Sequence, residues 1–227
     1  MFKIKKKYGQ PKDTLARIRL FATGIILCLP LISMQASVAG TIEGEINFRY
    51  VVPYTGLIYF YDESNEHIES IEIQQKDREF NQKIFVAHPG STIKFRNSDE
   101  ISQNVFANSP ENNVTFDLGL IKPGDSTEIN VDWEPYSVIR IGSRVNPKAR
   151  AYIANIPGEM YSPLDLGPRV KNYAVTMNIY NREILSFGIW LPKYDPVKIT
   201  LKPGEKITFP LMKNGSKHGE IVARWND

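Results

Sequence analysis

From Gly40 to the C-terminus apolar and polar residues alternate with a period of two, and no segment carries apolar residues at i, i+3, i+4 and i+7 over three turns. Side chains alternate across a strand but fall on one stripe of a helix only at helical spacing, so this pattern confines the chain to β structure. In the run from Ser126 to Trp133, Ile129, Val131 and Trp133 take one phase while Glu128, Asn130 and Asp132 take the other, which describes a strand with one wet face. Comparable runs occur at 41–48, 57–61, 70–73, 83–87, 91–95, 137–141, 150–156, 173–180, 183–191, 197–201, 206–211 and 219–225. The expected fold is all-β, a sandwich with antiparallel pairing. With 227 residues, 42% of them hydrophobic, the chain can fill one large β domain or two small ones. Its 15 Gly and 15 Pro follow no three-residue period and no apolar run reaches about 18 residues, which excludes collagen and a polytopic membrane protein.

Turn chemistry punctuates the strands. His88-Pro89-Gly90-Ser91, Lys122-Pro123-Gly124-Asp125 and Lys202-Pro203-Gly204-Glu205 each place Pro at the second and Gly at the third position of a type II turn. Asn214-Gly215 predicts a tight hairpin turn before the last strand. The stretch 156–168 holds three prolines and two glycines, and it divides the chain into a main sandwich, 40–160, and a smaller β module, 165–227.

Charge is concentrated at the N-terminus. Lys3, Lys5, Lys6, Lys7, Lys12, Arg17 and Arg19 precede an apolar run from Leu20 to Ile32, followed by Ser37-Val38-Ala39. These are the basic region, apolar region and small-residue cleavage site of a secretory signal peptide spanning 1–39, and the apolar run is short for a bilayer span. Neither the setting of Cys28, which follows Leu27, nor the spacing of Arg17 and Arg19 indicates a lipidated or twin-arginine leader. Taking its seven basic and one acidic residues from the totals of 28 and 25 leaves 21 and 24, so the charge moves from +3 to −3. The same step removes Cys28, the sole cysteine, and leaves the exported form without a thiolate or a disulfide. A periplasmic or secreted location is expected, with no nucleic-acid partner and no stable membrane span after cleavage.

The segment Phe95-Arg-Asn-Ser-Asp-Glu-Ile-Ser-Gln-Asn-Val-Phe106 resembles the cupredoxin-like proteins called methylamine utilization proteins, whose strand ends in Phe-x-Asn-x-Asp and is followed by His-Asn-Val. The likeness continues through Phe116-Asp-Leu-Gly119, the turn at 122–125, the opening Gly40-Thr-Ile-Glu-Gly44, and Pro147, Ala151, Tyr152 and Ile153. It implies a cupredoxin-like Greek-key β-sandwich followed by a small transthyretin-like β module. It also implies a copper site, whose four ligand positions fall on Gln103, Ser143, Asn146 and Ala149. None of these supplies the imidazole, thiolate or thioether that a blue-copper centre needs. The expectation is therefore a degenerate member without copper or another cofactor, in which Gln103, Ser143 and Asn146 form a hydrogen-bonded polar cluster.

Arg140, Arg144, Lys148 and Arg150 set four basic residues within 11 positions with no acid among them. They predict a surface for a periplasmic partner protein or an anionic ligand. No Gly-x-Ser-x-Gly, His-Glu-x-x-His, Walker or Rossmann motif occurs, and a non-enzymatic role is expected. Two alternatives remain at this stage: periplasmic copper binding or electron transfer, as the resemblance implies, and binding of a carbohydrate or envelope polymer through Trp190 and Tyr194. Trp133 and Trp225 fall on the apolar phase and are expected in the core. His67, His88 and His218 lie in polar, turn-like contexts and are expected to be exposed, His67 near Glu66 and Glu69 in a potential adventitious metal site.

Overall fold

A computed structural model describes residues 2–6, 38–61, 70–180 and 184–226, with side chains omitted for 2–6, 38–39 and 180. Most of the expected leader, with Cys28, Arg17 and Arg19, and the group around His67 lie outside the described residues. No helix among the described residues is long and apolar enough to cross a membrane.

The N-terminal strands are Phe2–Lys6 (β1), Val38–Phe48 (β2) and Thr55–Phe60 (β3). Then come Ile71–Lys76 (β4), Glu79–Phe80 (β5), Ile84–Ala87 (β6), Thr92–Asn97 (β7), Gln103–Ser109 (β8), Val114–Ile121 (β9), Ser126–Asn130 (β10), Val138–Gly142 (β11) and Arg150–Asn155 (β12). The C-terminal set is Tyr161–Asp165 (β13), Asn172–Tyr180 (β14), Leu185–Trp190 (β15), Val197–Leu201 (β16), Lys206–Lys213 (β17) and Ser216–Asn226 (β18). One short 3-10 turn at Pro110–Asn112 interrupts them, and the fold is all-β as the alternation requires.

The strands form four sheets that pair into two sandwiches. Sheets β10-β7-β4-β5 and β6-β12-β11-β8-β9 enclose a core that includes Ile73, Ile93, Phe95, Val105, Trp133, Ile139, Ile141 and Ile153. Sheets β1-β14-β2-β18-β17 and β13-β3-β15-β16 enclose a second core that includes Ile42, Ile46, Phe60, Tyr173, Phe187 and Trp225. The sequence groups 40–60 with the strands up to 160, and the hydrogen bonding differs. β2 lies between β14 and β18, and β3 lies between β13 and β15. The first sandwich is thus inserted into the second between β3 and β13, whose ends are neighbours through the Tyr59–Tyr161 pair. Alternation marks which residues form a strand and which face is apolar, but not which distant strand completes the sheet.

The three Pro-Gly turns form as expected. Gly90, Gly124 and Gly204 have φ of 78°, 80° and 76°. Ser91, Asp125 and Glu205 donate their amides to the carbonyls of His88, Lys122 and Lys202 at 3.0–3.1 Å. At the final hairpin Asn214 and Gly215 both take positive φ between the paired Lys213 and Ser216.

β3 explains how the sandwiches join. All six of its residues are buried, because Ile58 and Phe60 face the outer core while Leu57 and Tyr59 meet Ile84, Ala154 and Ile156 of the inserted sandwich. A short continuous apolar run is the signature of a strand covered on both faces. Lys83 and Asp165 bridge the same seam at 3.0 Å, and their exposure makes the pair a minor contributor. Gly188 in β15 receives the ring of Tyr59, and a Cβ there would lie 2.3 Å from Tyr59 Cζ. That ring is itself stacked on Tyr136 at 5.7 Å and cannot simply swing away. Gly188→Val is expected to cost about 1–3 kcal/mol through overpacking. Urea denaturation checks this, and Tyr59→Ala in the same chain should reduce the penalty of the valine.

Candidate functional site

The four positions onto which the sequence resemblance places a ligand set, Gln103, Ser143, Asn146 and Ala149, lie at one end of the inserted sandwich. Gln103 opens β8 with no solvent exposure, and its Nε2 donates to Asp99 Oδ2 at 2.7 Å. The Asp99 carboxylate also accepts the Arg78 amide, at 3.1 Å to Oδ2. The Asn146 side-chain amide donates to the Arg78 carbonyl, and its backbone N–H donates to Ser143 Oγ at 3.1 Å. Gln103 and Ser143 are therefore linked through Asp99, the Arg78 backbone and Asn146, not by a direct bond. Ala149 is buried and caps the turn by donating its amide to the Asn146 carbonyl at 2.9 Å. The sequence identified three members of this cluster and missed Asp99 and Arg78. Asp99 was visible as the last residue of the Phe-x-Asn-x-Asp pattern, whereas Arg78 enters through its backbone and left no side-chain signal.

This donor set does not fit a blue-copper ion. It offers amides, a hydroxyl and a methyl group, and the amide protons, hydroxyl lone pair and carboxylate are already engaged with one another. Gln103 Oε1 is buried with no hydrogen-bond partner among the described residues.

Next to it, Arg144 is tied down. Asn104 donates to Asp117 Oδ1 at 2.7 Å and to the Gly119 carbonyl at 2.9 Å, and accepts the Arg144 amide at 3.0 Å. Arg144 Nε donates to Asp117 Oδ2 at 2.8 Å, and its guanidinium lies 4.9 Å from the centre of the Phe106 ring. The Gly119 amide, then the Asn104 amide, then Arg144 hold the Asp117 carboxyl below the usual carboxylate range. One member of the basic group is thereby neutralised by an acid 27 positions away.

Arg140 and Arg150 are arranged differently. In the β11–β12 ladder Arg140 faces Tyr152 and Gly142 faces Arg150, while Ile139, Ile141, Ala151 and Ile153 point into the core. The two arginines therefore share the outer face of the sheet, diagonal to each other across Gly142. With Phe106, Asn108 and Ser143 they line a cleft of about 200 Å³. Arg150 Nε is anchored to the Pro147 carbonyl at 3.0 Å, which leaves its terminal nitrogens for a ligand. Among the described residues no carboxylate lies within ion-pair distance of Arg140, Lys148 or Arg150. Lys148 is exposed and does not line the cleft.

An aromatic group lies at the seam of the two sandwiches. Tyr54, in the loop before β3, lies beside Tyr152 with ring centres 6.1 Å apart, and Trp190 packs edge-on against Tyr152 at 4.7 Å. Burial, with the neighbouring Tyr152 as a lesser cause, raises the Tyr54 hydroxyl well above its ordinary range, against the opposing pull of Arg140 and Arg150. Trp190 and Tyr194 do not form a common platform. Trp190 belongs to the seam, while Tyr194 is buried against Phe48 and donates its hydroxyl to the Val51 carbonyl.

Trp133 and Trp225 are buried in the two cores, as their phase predicts. The two described histidines differ from expectation in that both are half-buried. His88 Nδ1 donates to the Ile156 carbonyl at 2.8 Å and fixes the exit from β12. His218 lies within β18, edge-on to Tyr50 at 5.0 Å.

No protein-family model matches the chain, and no curated protein matches it. Similar solved structures are copper proteins at low identity. Amicyanin from Paracoccus versutus is 9% identical, with 43% of this chain and 96% of amicyanin covered and a TM-score of 0.33. A purple cupredoxin from Nitrosopumilus maritimus is 14% identical, with 37% and 97% covered and a TM-score of 0.31. A copper-containing nitrite reductase from Thermus scotoductus is 13% identical, with 41% of this chain and 24% of the reductase covered and a TM-score of 0.34.

Proposed function

We propose that this chain is an exported, periplasmic, cupredoxin-like member of the methylamine-utilization type that has lost its copper ligands and works as a non-enzymatic binding module. It engages an anionic group, on a partner protein or a free ligand, through Arg140 and Arg150. The observation that carries this reading is the cleft around Gly142, where two guanidiniums share one sheet face without a carboxylate partner among the described residues. The Gln103–Asp99–Arg78–Asn146–Ser143 chain supports the loss of copper, because hydrogen bonds join the loops that an ion would otherwise join.

Thermal unfolding with phosphate, citrate, glutarate and trigalacturonate at low salt tests the reading. A ligand at about 100 times its Kd stabilises the folded state by about 2.7 kcal/mol. At least one anion should raise the midpoint of the wild type by several degrees and have no effect on the Arg140→Gln/Arg150→Gln variant. Equal shifts in both proteins, or none in either, would overturn it. Copper added to the protein without residues 1–39, and so without Cys28, should give no intense visible band, and a strong one would restore the electron-transfer reading.

A further inference from the structure

The charge along the outer face of β9, β8, β11 and β12 is uneven. At one end Arg140 and Arg150 flank Gly142, with no carboxylate among the described residues within ion-pair distance of either. At the other, the cleft runs into a depression of about 530 Å³ through the shared residues Phe106 and Asn108. There the outer face carries Asn108, Thr115 and the paired Arg144 and Asp117 beside Phe106, while Phe116 turns its ring to the core against Phe95. An evenly charged polyanion would find cations at only one end of this groove, so the ligand it complements is acidic at one terminus and neutral beyond it. Stacking surface for a sugar ring is limited there, because one face of Phe106 is already covered by the Arg144 guanidinium.

Resting on the anion-binding reading above, we infer that the groove captures the free C-terminal carboxylate of a protein chain, held between Arg140 and Arg150, with an apolar side chain next to it lying against Phe106. Arginine suits this task because its planar fork can offer a carboxylate two parallel N–H donors. Arg150 is preorganised by its bond to the Pro147 carbonyl, and Gly142 lets the Phe106 ring lie close to the strand, since a Cβ there would come within 3.3 Å of it.

Fluorescein-labelled pentapeptides ending in Ala, Val, Leu or Phe, each made as free acid and as amide, test this by anisotropy against the full chain. At least one acid should bind about tenfold or more tighter than its amide. That preference should vanish in Arg140→Gln/Arg150→Gln and survive in Lys148→Gln, with unfolding midpoints confirming that both variants are folded. Equal binding of acid and amide, a preference unchanged by the arginine substitutions, or no binding of any peptide up to millimolar concentration would overturn the inference. Arginine-dependent binding of trigalacturonate without peptide binding would overturn it too, while leaving the broader anion reading intact.

Discussion

Asn97→Ala is expected to lower stability by about 2–4 kcal/mol, although the residue lies on no ligand-binding surface. Its side chain is fully buried at the end of β7 and makes three hydrogen bonds that together fix three chain segments. Nδ2 donates to the Ile101 and Ile121 carbonyls, each at 2.8 Å, and Oδ1 accepts the Asp99 amide at 2.9 Å. Alanine would strand the buried Ile121 carbonyl at the end of β9 and the part-buried Ile101 carbonyl ahead of β8, and a buried group left unsatisfied costs about 1–3 kcal/mol. The surrounding backbone offers no replacement donor, because the Asn97 N–H is already given to the Asp125 carbonyl and the Gly124 N–H to the Asn97 carbonyl. Urea denaturation should show a lower midpoint with an unchanged slope, meaning that stability is lost without a change in the surface exposed on unfolding. A loss below about 0.5 kcal/mol, the range of ordinary surface substitutions, would show that the knot is not structural. Asp99 is positioned by this knot and in turn holds Gln103 and Arg78, so the polar cluster should loosen with it.

How far such features could be read in advance depends on their range along the chain. Strands, core phase and the Pro-Gly turns are local and were legible, because each depends on residues within a few positions of one another. The Phe-x-Asn-x-Asp pattern pointed to the right loop, but its work turns out to be hydrogen bonding of the loop itself. The basic group at 140–150 was legible as a count and misleading as a unit. Strand alternation places Arg140 and Arg150 on one sheet face, the loop exposes Lys148, and Asp117 neutralises Arg144. Neither Asp117 nor its anchor Asn104 announced this, because a pairing across 27 residues leaves no periodic trace. The position of Tyr54 beside Tyr152 was hidden for a deeper reason, since it depends on how the two sandwiches meet.

That meeting yields the most drastic expected result. A fragment cut at the boundary the proline-rich stretch suggests, residues 40–160, should keep a folded inserted sandwich and an unprotected N-terminal segment. In the full chain Ile42, Ile46 and Phe48 are buried by strands that lie beyond residue 160, and β2 takes its hydrogen bonds from β14 and β18. Cut off from them, residues 40–60 lose both ladder partners and core, and their amides should exchange at the rate of an unfolded chain, while β4 to β12 retain slow exchange. The apolar phase of β2 and β3 would then be exposed, so the fragment should also self-associate, as unpaired apolar strands do. The complementary chain, joining residue 61 to residue 160 through a few Gly and Ser residues, should fold, because Tyr59 and Tyr161 are already cross-strand neighbours and the link closes a hairpin without stretching. Slow exchange of 40–60 within the 40–160 fragment would mean that these strands find partners inside the first 160 residues, and the insertion of one sandwich into the other would have to be abandoned.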